Sequence, residues 1–191
     1  MEKNPFKWPL AVIAAILVWC TDLFFNLSAY LLWPTGDFSP LTNWQSDLGN
    51  PKRNNPLGAQ YYNCGQVFMG LAVILFVGGM YVGYTEEKWK NYLLVAGQFA
   101  GFLVGIGLIM NGIYSEELQP QHGQWSELIF MSITLTEFLI NAALLKSEKF
   151  WKSIGYLGFI AGAINLFFVF TFDIFYPFAI NIFNNEAKTK K

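Results

Sequence analysis

The stretch "NYLLVAGQFAGFLVGIGLIMNGIY", residues 91–114, contains no Asp, Glu, Lys or Arg. A helix needs about 20 predominantly apolar residues to cross the hydrocarbon core of a bilayer. Apolar residues fill this stretch almost continuously, without the wide polar face of a helix on the surface of a soluble protein. The stretch therefore predicts a transmembrane helix.

Four further segments have the same character, so that the predicted spans are residues 8–33, 61–84, 91–114, 125–145 and 153–172. The chain is 54% hydrophobic and only 13% charged, whereas soluble domains carry about 25% charged residues. We predict one all-α domain over residues 1–191, a polytopic membrane helix bundle of about five transmembrane helices. We expect a multi-pass protein of the cell membrane. The apolar segment 173–185 is too short to span the membrane. If it re-enters the membrane, the bundle would have six spans.

The distribution of lysines predicts the orientation, because cytoplasmic connections are enriched in Lys and Arg. The lysines that precede the first span or lie in two of the three short connections are Lys3, Lys7, Lys88, Lys90, Lys146, Lys149 and Lys152. We therefore expect a cytoplasmic N-terminus. The C-terminal "KTKK" falls outside in a five-span arrangement and inside in a six-span arrangement.

The partners that the sequence predicts are membrane lipids. A net charge of −1 gives no indication of nucleic-acid binding. Cys20 and Cys64 have no metal-ligand spacing and are expected to be packed thiols. Glycines recur every four residues at Gly97, Gly101 and Gly105, and such small residues let helices approach closely in lipid. These glycine-rich faces predict close helix packing, within the chain or in a homo-oligomer or membrane complex.

Polar residues from several predicted spans and both outer loops fall on the outward side under this orientation. They are Asp22, Asn26, Asp47, Asn63, Asn111, His122, Glu127 and Asp173. The expected cavity holds more carboxylates than basic groups, so its potential should be negative and favour cations. The polar loop "FSPLTNWQSDLGNP", residues 38–51, is expected to form its lid or wall, with Asp47 turned toward His122.

The fourth span carries a polar stripe, formed by Glu127, Thr134, Glu137 and Asn141. At about 100° per residue, the four side chains fall within a sector of about 80°. We expect this stripe to face the bundle interior, because a charged residue facing lipid at mid-bilayer costs about 2.5–3.5 kcal/mol or more. No Lys or Arg lies inside a predicted span. Asp22 and Glu137 should therefore be protonated, held by amides or hydroxyls, or completed by a ligand.

Simpler interpretations stand beside each functional one. His122 could be a solvated or capping loop residue, and Asp47 could stabilise a turn. Glu137 could be a protonated structural acid. Intramembrane Gln98, Asn141 and Asn165 are expected to join helices by hydrogen bonds.

The chain resembles the membrane family known as domain of unknown function 998. The resemblance rests on the loop quoted above, on "YYNCGQVFMGL" at the start of the second span and on "HGQWSELIF" at the start of the fourth. The matching residues are Ser46, Asp47, Leu48, Gly49, Asn63, His122 and Gly123. Members commonly have six spans, and the family implies no established activity. The resemblance implies that the outer polar cluster is the site of the family.

The first function that these residues predict is a membrane-surface hydrolase or transferase with a lipid-like substrate. Its catalytic candidates are His122, Asp47, Asp22 and Glu127, because an acid–histidine pair can act as a general base. The cofactor is open: a divalent metal, if one binds, would use His122, Asp47 and Asp22. The ligand-binding candidates are Ser46, Asn26, Asn63, Asn111, Asp173 and Glu137.

Two other classes of function remain open. The first alternative is a non-enzymatic module that binds a ligand, acts as a sensor or belongs to a complex. The second is a cation or proton carrier that uses Asp22 and Glu137 as relay acids. Whether the protein is an enzyme is not decided by its sequence.

Overall fold

The computed structural model describes residues 9–34, 38–39, 41–145 and 150–171. Its five α-helices are α1 (Leu10–Leu31), α2 (Pro56–Gly79), α3 (Lys88–Ile113), α4 (Gln121–Leu145) and α5 (Lys152–Val169). Two short 3₁₀ helices occupy Gln45–Gly49 and Met80–Gly83, and the described residues contain no strand. All five helices are long and apolar enough to cross a membrane. The predicted all-α bundle of five spans is therefore confirmed, whereas the segment 173–185 lies outside the described residues.

Successive helices run antiparallel, and the extensive contacts of the bundle are those between chain neighbours. Along α1 and α2, Gly65 lies against Phe25 and Gly79 lies against Ala11, so the two helices run in opposite directions. The pairing of α3 with α4 shows the same relation, with Gly97 against Ile140 and Gly107 against Ile129. This serial arrangement places the ends of α1, α3 and α5 beside the beginnings of α2 and α4.

Helices α2 and α3 approach each other closely. A Cβ atom at Gly70 would lie 2.5 Å from the carbonyl oxygen of Gly105. Gly101 of α3 lies against Val77 of α2, whereas Gly97 of α3 lies against α4. The regularly spaced glycines of α3 therefore make contacts within the chain, where they allow α2 and α4 to pack closely against α3. Small residues at such contacts let backbones meet without a hydrophobic driving force.

Polar side chains inside the bundle join neighbouring helices, as predicted for Gln98 and Asn165. Gln98 Nε2 donates to the carbonyl oxygen of Val77 at 2.7 Å and its Oε1 accepts from the Tyr84 hydroxyl at 2.9 Å. Asn165 Nδ2 donates from α5 to the carbonyl oxygen of Phe130 at 2.9 Å. Asn141 differs, since its Nδ2 donates to the Glu137 carbonyl of its own helix. Its side chain instead packs against Gly158 of α5.

The outer surface of the bundle is apolar, as a lipid-facing surface must be. Large side chains such as Trp19, Leu23, Phe99 and Phe167 are more than half exposed on the helices. Within a soluble protein, such a continuous apolar exterior would be an aggregation liability. The composition and the five helices together define a multi-pass integral membrane protein.

Two helices begin four or more residues earlier than the hydrophobic segments predicted. The second span was predicted to start at Tyr61, but α2 starts at Pro56, because Asn55 caps it by accepting from Leu57 N at 2.9 Å. The fourth was predicted to start at Trp125, but α4 starts at Gln121. His122 therefore lies on a helix, and its predicted place in a loop is wrong.

Candidate functional site

A chamber of about 740 Å³ lies at the end of the bundle where α1 and α3 end and α2 and α4 begin. All five helices and both loops at that end contribute to its wall. The lining residues are Asp22, Phe38, Asn43, Trp44, Gln45, Ser46, Tyr62, Gln66, Met69, Leu108, Asn111, Glu116, Gln119, His122, Ser126, Ile129, Phe130 and Phe168. Its volume falls in the range of about 300–1,000 Å³ that is typical of small-molecule sites.

The polar loop between α1 and α2 covers this chamber. We call its residues 41–54 the roof. Asn54 is buried and donates through Nδ2 to the carbonyl oxygens of Ala29 at 3.1 Å and Leu48 at 2.8 Å. Asn63 of α2 donates to the carbonyl oxygen of Gly49 at 3.0 Å. Gly49 lies so close to α2 that a Cβ atom would be 2.4 Å from Asn63 Oδ1. These contacts hold the roof against α1 and α2.

Asp47 stabilises the roof and does not line the chamber. Its carboxylate is almost fully buried, with Oδ1 2.6 Å from Arg53 Nη1 and Oδ2 accepting from the backbone N–H of Trp44 at 3.1 Å. Asn43 Nδ2 lies 3.4 Å from Oδ2. The carboxylate is thus engaged by an arginine and by the first turn of the 3₁₀ helix. The prediction that Asp47 turns toward His122 in the cavity is wrong.

The roof is also joined to the connection between α3 and α4. The Asn50 side-chain amide donates to the Glu116 carboxylate. Lys52 Nζ lies 3.5 Å from Glu117 Oε2. The two loops at this end of the bundle therefore contact each other across the top of the chamber, at residues that are distant in the sequence.

His122 is held in one tautomer by its backbone partner. The side chain is 5% exposed and lines the chamber. Its Nδ1 lies 2.8 Å from the carbonyl oxygen of Tyr114. Since a carbonyl oxygen only accepts, Nδ1 carries the proton and donates it to this bond. In the neutral ring, Nε2 then has a free lone pair that can accept a hydrogen bond or a proton.

Asn111 and Ser126 form a second polar pair in the chamber wall, between α3 and α4. Asn111 Nδ2 donates to Ser126 Oγ at 2.9 Å. Asn111 is only 9% exposed, and its Oδ1 is buried without a hydrogen-bond partner. An unsatisfied buried amide oxygen costs free energy unless a ligand or water supplies a donor. Ser126 lies one helical turn after His122, on the same face of α4.

The charged groups that line the chamber are acidic. Asp22 of α1 accepts from Asn26 Nδ2 at 2.5 Å, and Asn26 itself does not line the chamber. Glu116 is the other lining carboxylate, and none of the lining residues is Lys or Arg. The predicted metal set of His122, Asp22 and Asp47 is not brought together. No group of three or more His, Cys, Asp or Glu side chains within the described ranges is placed to hold a metal ion.

Glu127 is exposed and does not line the chamber. The face of α4 that lines the chamber includes Ser126, and the adjacent residue is rotated by about 100° on a helix. The predicted inward stripe is therefore wrong at Glu127. It is correct at Thr134, which is buried and bonded to Asn165 of α5 at 2.5 Å. Asp173 lies outside the described residues.

Glu137 lines a second, smaller space, which we call the groove, of about 310 Å³. The groove lies deeper along the helix faces that line the chamber. Its wall is otherwise almost entirely apolar, with Trp19 of α1 and Phe76 of α2 among the lining residues. The Oε2 atom of Glu137 is buried and has no hydrogen-bond partner.

Several chamber residues were not among the predicted site residues. Tyr62 and Gln66 lie one turn apart on α2 and both line the chamber. The signal was present in "YYNCGQVFMGL", where a glutamine interrupts an apolar run four residues after a tyrosine. Glu116 was not singled out either, and it lies in the connection between α3 and α4. The role of Arg53 could not be read from the sequence, because its partner depends on how the roof folds.

Together, the helices and the roofed chamber define an integral membrane helix bundle with a cavity at one end that both polar and apolar side chains line. No family model, curated protein or solved structure matches the chain. The resemblance to the domain family of unknown function 998 therefore stays a prediction.

Proposed function

We propose that this membrane protein binds a lipid-like molecule whose polar headgroup occupies the chamber. The observation that carries the proposal is the buried Oδ1 atom of Asn111, which lacks a donor in the wall of a roofed cavity. Pockets for small ligands combine an apolar wall with a few polar groups that fix orientation. The chamber has this composition, with Met69, Leu108 and Ile129 beside its amides and carboxylates.

The charges of the wall favour a headgroup that is cationic or rich in hydroxyl groups. Glu116 brings negative charge and Asp22 a second carboxyl group, and no lining Lys or Arg balances them. Hydroxyl and ammonium groups also supply the donors that Asn111 Oδ1 and the carboxylates accept. An anionic headgroup without donors would meet repulsion here.

Photo-crosslinking in nanodiscs tests this proposal. A glycosyl lipid and a quaternary-amine lipid, each with a diazirine on its headgroup, are irradiated with the protein, and adducts are mapped by mass spectrometry. We expect adducts on the roof and the first turns of α4. Gln66→Leu should lower their yield about fivefold, the effect of losing one hydrogen bond of about 1 kcal/mol.

Gln60→Leu is the matched control, because Gln60 is exposed on the same helix. It should leave the adduct yield unchanged. Adducts spread evenly over the exposed helix faces, or equal yields for the two variants, would contradict the proposal.

A second candidate function is hydrolase or transferase chemistry in the same chamber. It is favoured by the bond from His122 Nδ1 to the Tyr114 carbonyl, which leaves Nε2 unprotonated in the neutral ring. Such a nitrogen can act as general base toward water or a hydroxyl group. Ser126, one turn away and oriented by Asn111, is the candidate nucleophile.

A fluorophosphonate probe tests this second candidate. If His122 activates Ser126, the probe should modify Ser126 in the wild type, and His122→Gln should lower the modification rate by about 10²-fold or more. Gln121→Ala changes the exposed neighbour of His122 and serves as the control. No modification of Ser126, or equal rates in the wild type and in His122→Gln, would contradict the enzymatic function.

A further inference from the structure

The groove contains a carboxyl group with one oxygen atom that has no hydrogen-bond partner among the described residues. Glu137 lies in the middle of α4, and its Oε2 is buried without a hydrogen-bond partner. The lining also contains the hydroxyl group of Thr136, which already donates to the carbonyl oxygen of Ser132 at 2.8 Å. Glu137 is therefore the ionisable group that an occupant of the groove would meet.

Among the residues that the structure describes, no Lys or Arg pairs with this carboxyl group. No Lys or Arg lines the groove. The lysines on the described helices lie in the first turns of α3 and α5, as Lys88, Lys90 and Lys152, and Lys90 is paired with Glu87. A carboxylate in an apolar environment is stable only with a counter-charge or strong donors, and otherwise it takes up a proton. A ligand that brings a positive charge would satisfy it.

The apolar lining of the groove suits a hydrocarbon chain that enters from the lipid. Its lining is almost entirely aliphatic and aromatic, with Val18, Phe76 and Val104 on three different helices. Trp19 stands at its rim and is 76% exposed on the outer surface of the bundle. A hydrocarbon chain can therefore lie in the groove with most of its surface against apolar side chains.

The groove is a separate space from the chamber. Met69, Leu108 and Ile129 line the chamber, and each has a groove-lining residue one turn deeper on the same helix, namely Val73, Val104 and Ile133. These six side chains pack as one cluster between the two spaces. Occupation of the groove thus does not require a headgroup in the chamber.

We propose that the groove is a binding site for long-chain amines, with the hydrocarbon chain on its apolar wall and the ammonium group paired with Glu137. The chain supplies apolar contact and the ammonium group supplies the donors and the charge that Oε2 lacks. A long-chain alcohol makes the same apolar contacts but brings one donor and no charge, so it should bind more weakly.

Carbodiimide labelling in nanodiscs tests this site with the intact protein. Dicyclohexylcarbodiimide is apolar and modifies carboxyl groups that face lipid, whereas a water-soluble carbodiimide modifies those that face water. Mass spectrometry should find the apolar reagent on Glu137 and the water-soluble reagent on Glu127, which is exposed on the same helix. Saturating N,N-dimethyldodecylamine, a tertiary amine that cannot form an amide with an activated carboxyl group, should lower the labelling of Glu137 about tenfold and leave that of Glu127 unchanged. Dodecanol should not protect Glu137.

Direct binding of radiolabelled dodecylamine gives a second measurement. Glu137→Gln keeps the size of the side chain and should weaken binding about tenfold or more. Gln66→Leu changes the chamber and should not alter amine binding, which separates this site from the proposed headgroup site. The amine site is excluded if dodecanol protects Glu137 as well as N,N-dimethyldodecylamine does, or if Glu137→Gln binds dodecylamine as the wild type does. Equal labelling of Glu137 and Glu127 by the water-soluble reagent would exclude it as well.

Discussion

The guanidinium group of Arg53 lies 2.6 Å from the carboxylate of Asp47, and the two residues are both part of the roof. The carboxylate is buried while the arginine is about half exposed. The acid that looked most like a catalytic loop residue is thus neutralised within its own loop. This pairing makes Asp47 a structural residue of the chamber roof, and the catalytic candidates that remain on the chamber are His122 and Asp22.

The first prediction concerns the roof. Asp47→Ala should lower the free energy of unfolding by about 1.5–3 kcal/mol, because it removes hydrogen bonds to a charged group. Arg53→Ala should cost at least as much, because it leaves the buried Asp47 carboxylate without its counter-charge. Thermal unfolding in detergent and limited proteolysis of residues 41–54 measure both effects. Lys52→Ala is the control, because Lys52 is 78% exposed.

Asp47→Asn separates the structural role from direct participation in ligand binding. The amide keeps one oxygen for the backbone N–H of Trp44, so the roof should stay folded and the chamber should still bind. Loss of headgroup crosslinking in a fully folded Asp47→Asn protein would show that the charge itself acts on the ligand.

The second prediction concerns the contact between the roof and the α3–α4 connection. Asn50 and Glu116 can be replaced by cysteines and joined by a short bis-maleimide, with Cys20 and Cys64 changed to serine beforehand. If ligands reach the chamber past the roof, the joined protein should acquire headgroup crosslinks about tenfold more slowly, in line with a gate that limits access. The same double variant without the linker is the control. An unchanged rate would place the ligand path elsewhere.

The third prediction concerns helix packing. Gly70→Ala places a Cβ atom 2.5 Å from the Gly105 carbonyl oxygen and should destabilise the bundle by about 1–3 kcal/mol. Gly78→Ala, on the same helix, meets nothing closer than Phe102 at 3.9 Å. It should be neutral or slightly stabilising, because alanine favours the helix. Unfolding of both variants in detergent checks the difference, and equal stabilities would contradict the close approach.

The fourth prediction concerns orientation. In a cysteine-free background, Lys52→Cys should react with an impermeant maleimide added to intact cells, whereas Lys88→Cys should react only after lysis. The reason is that the connections on the same side of the bundle as Lys88 are enriched in lysine, as cytoplasmic connections are. The reverse pattern would invert the orientation and put the chamber on the cytoplasmic side.

The five helices could be predicted because hydrophobic length alone defines a span. The site was harder, since it depends on register and on partners. Hydropathy placed the start of α4 at Trp125, four residues after its true start at Gln121. That shift concealed that His122 and Ser126 share a helix face. The Asn55–Pro56 pair is a sequence signal for the start of α2, but a prediction from hydropathy alone does not use it.

The polar stripe of α4 illustrates the same limit. The four residues lie within one sector of the helix, yet the surroundings of this sector differ along the helix. Thr134 is bonded to α5, Glu137 lines the groove, and Glu127 is exposed. Periodicity tells which residues share a face, whereas the neighbours of that face are set by the packing of the other helices.

The central claim is that the chamber holds the headgroup of a lipid-like molecule. A structure determined from crystals grown in a lipid phase tests this claim most directly. We predict non-protein density in the chamber with a donor atom about 2.7–3.2 Å from Asn111 Oδ1. The density should continue toward the membrane as a hydrocarbon chain. A chamber that contains only ordered water, with a water molecule bonded to Asn111 Oδ1, would contradict the account.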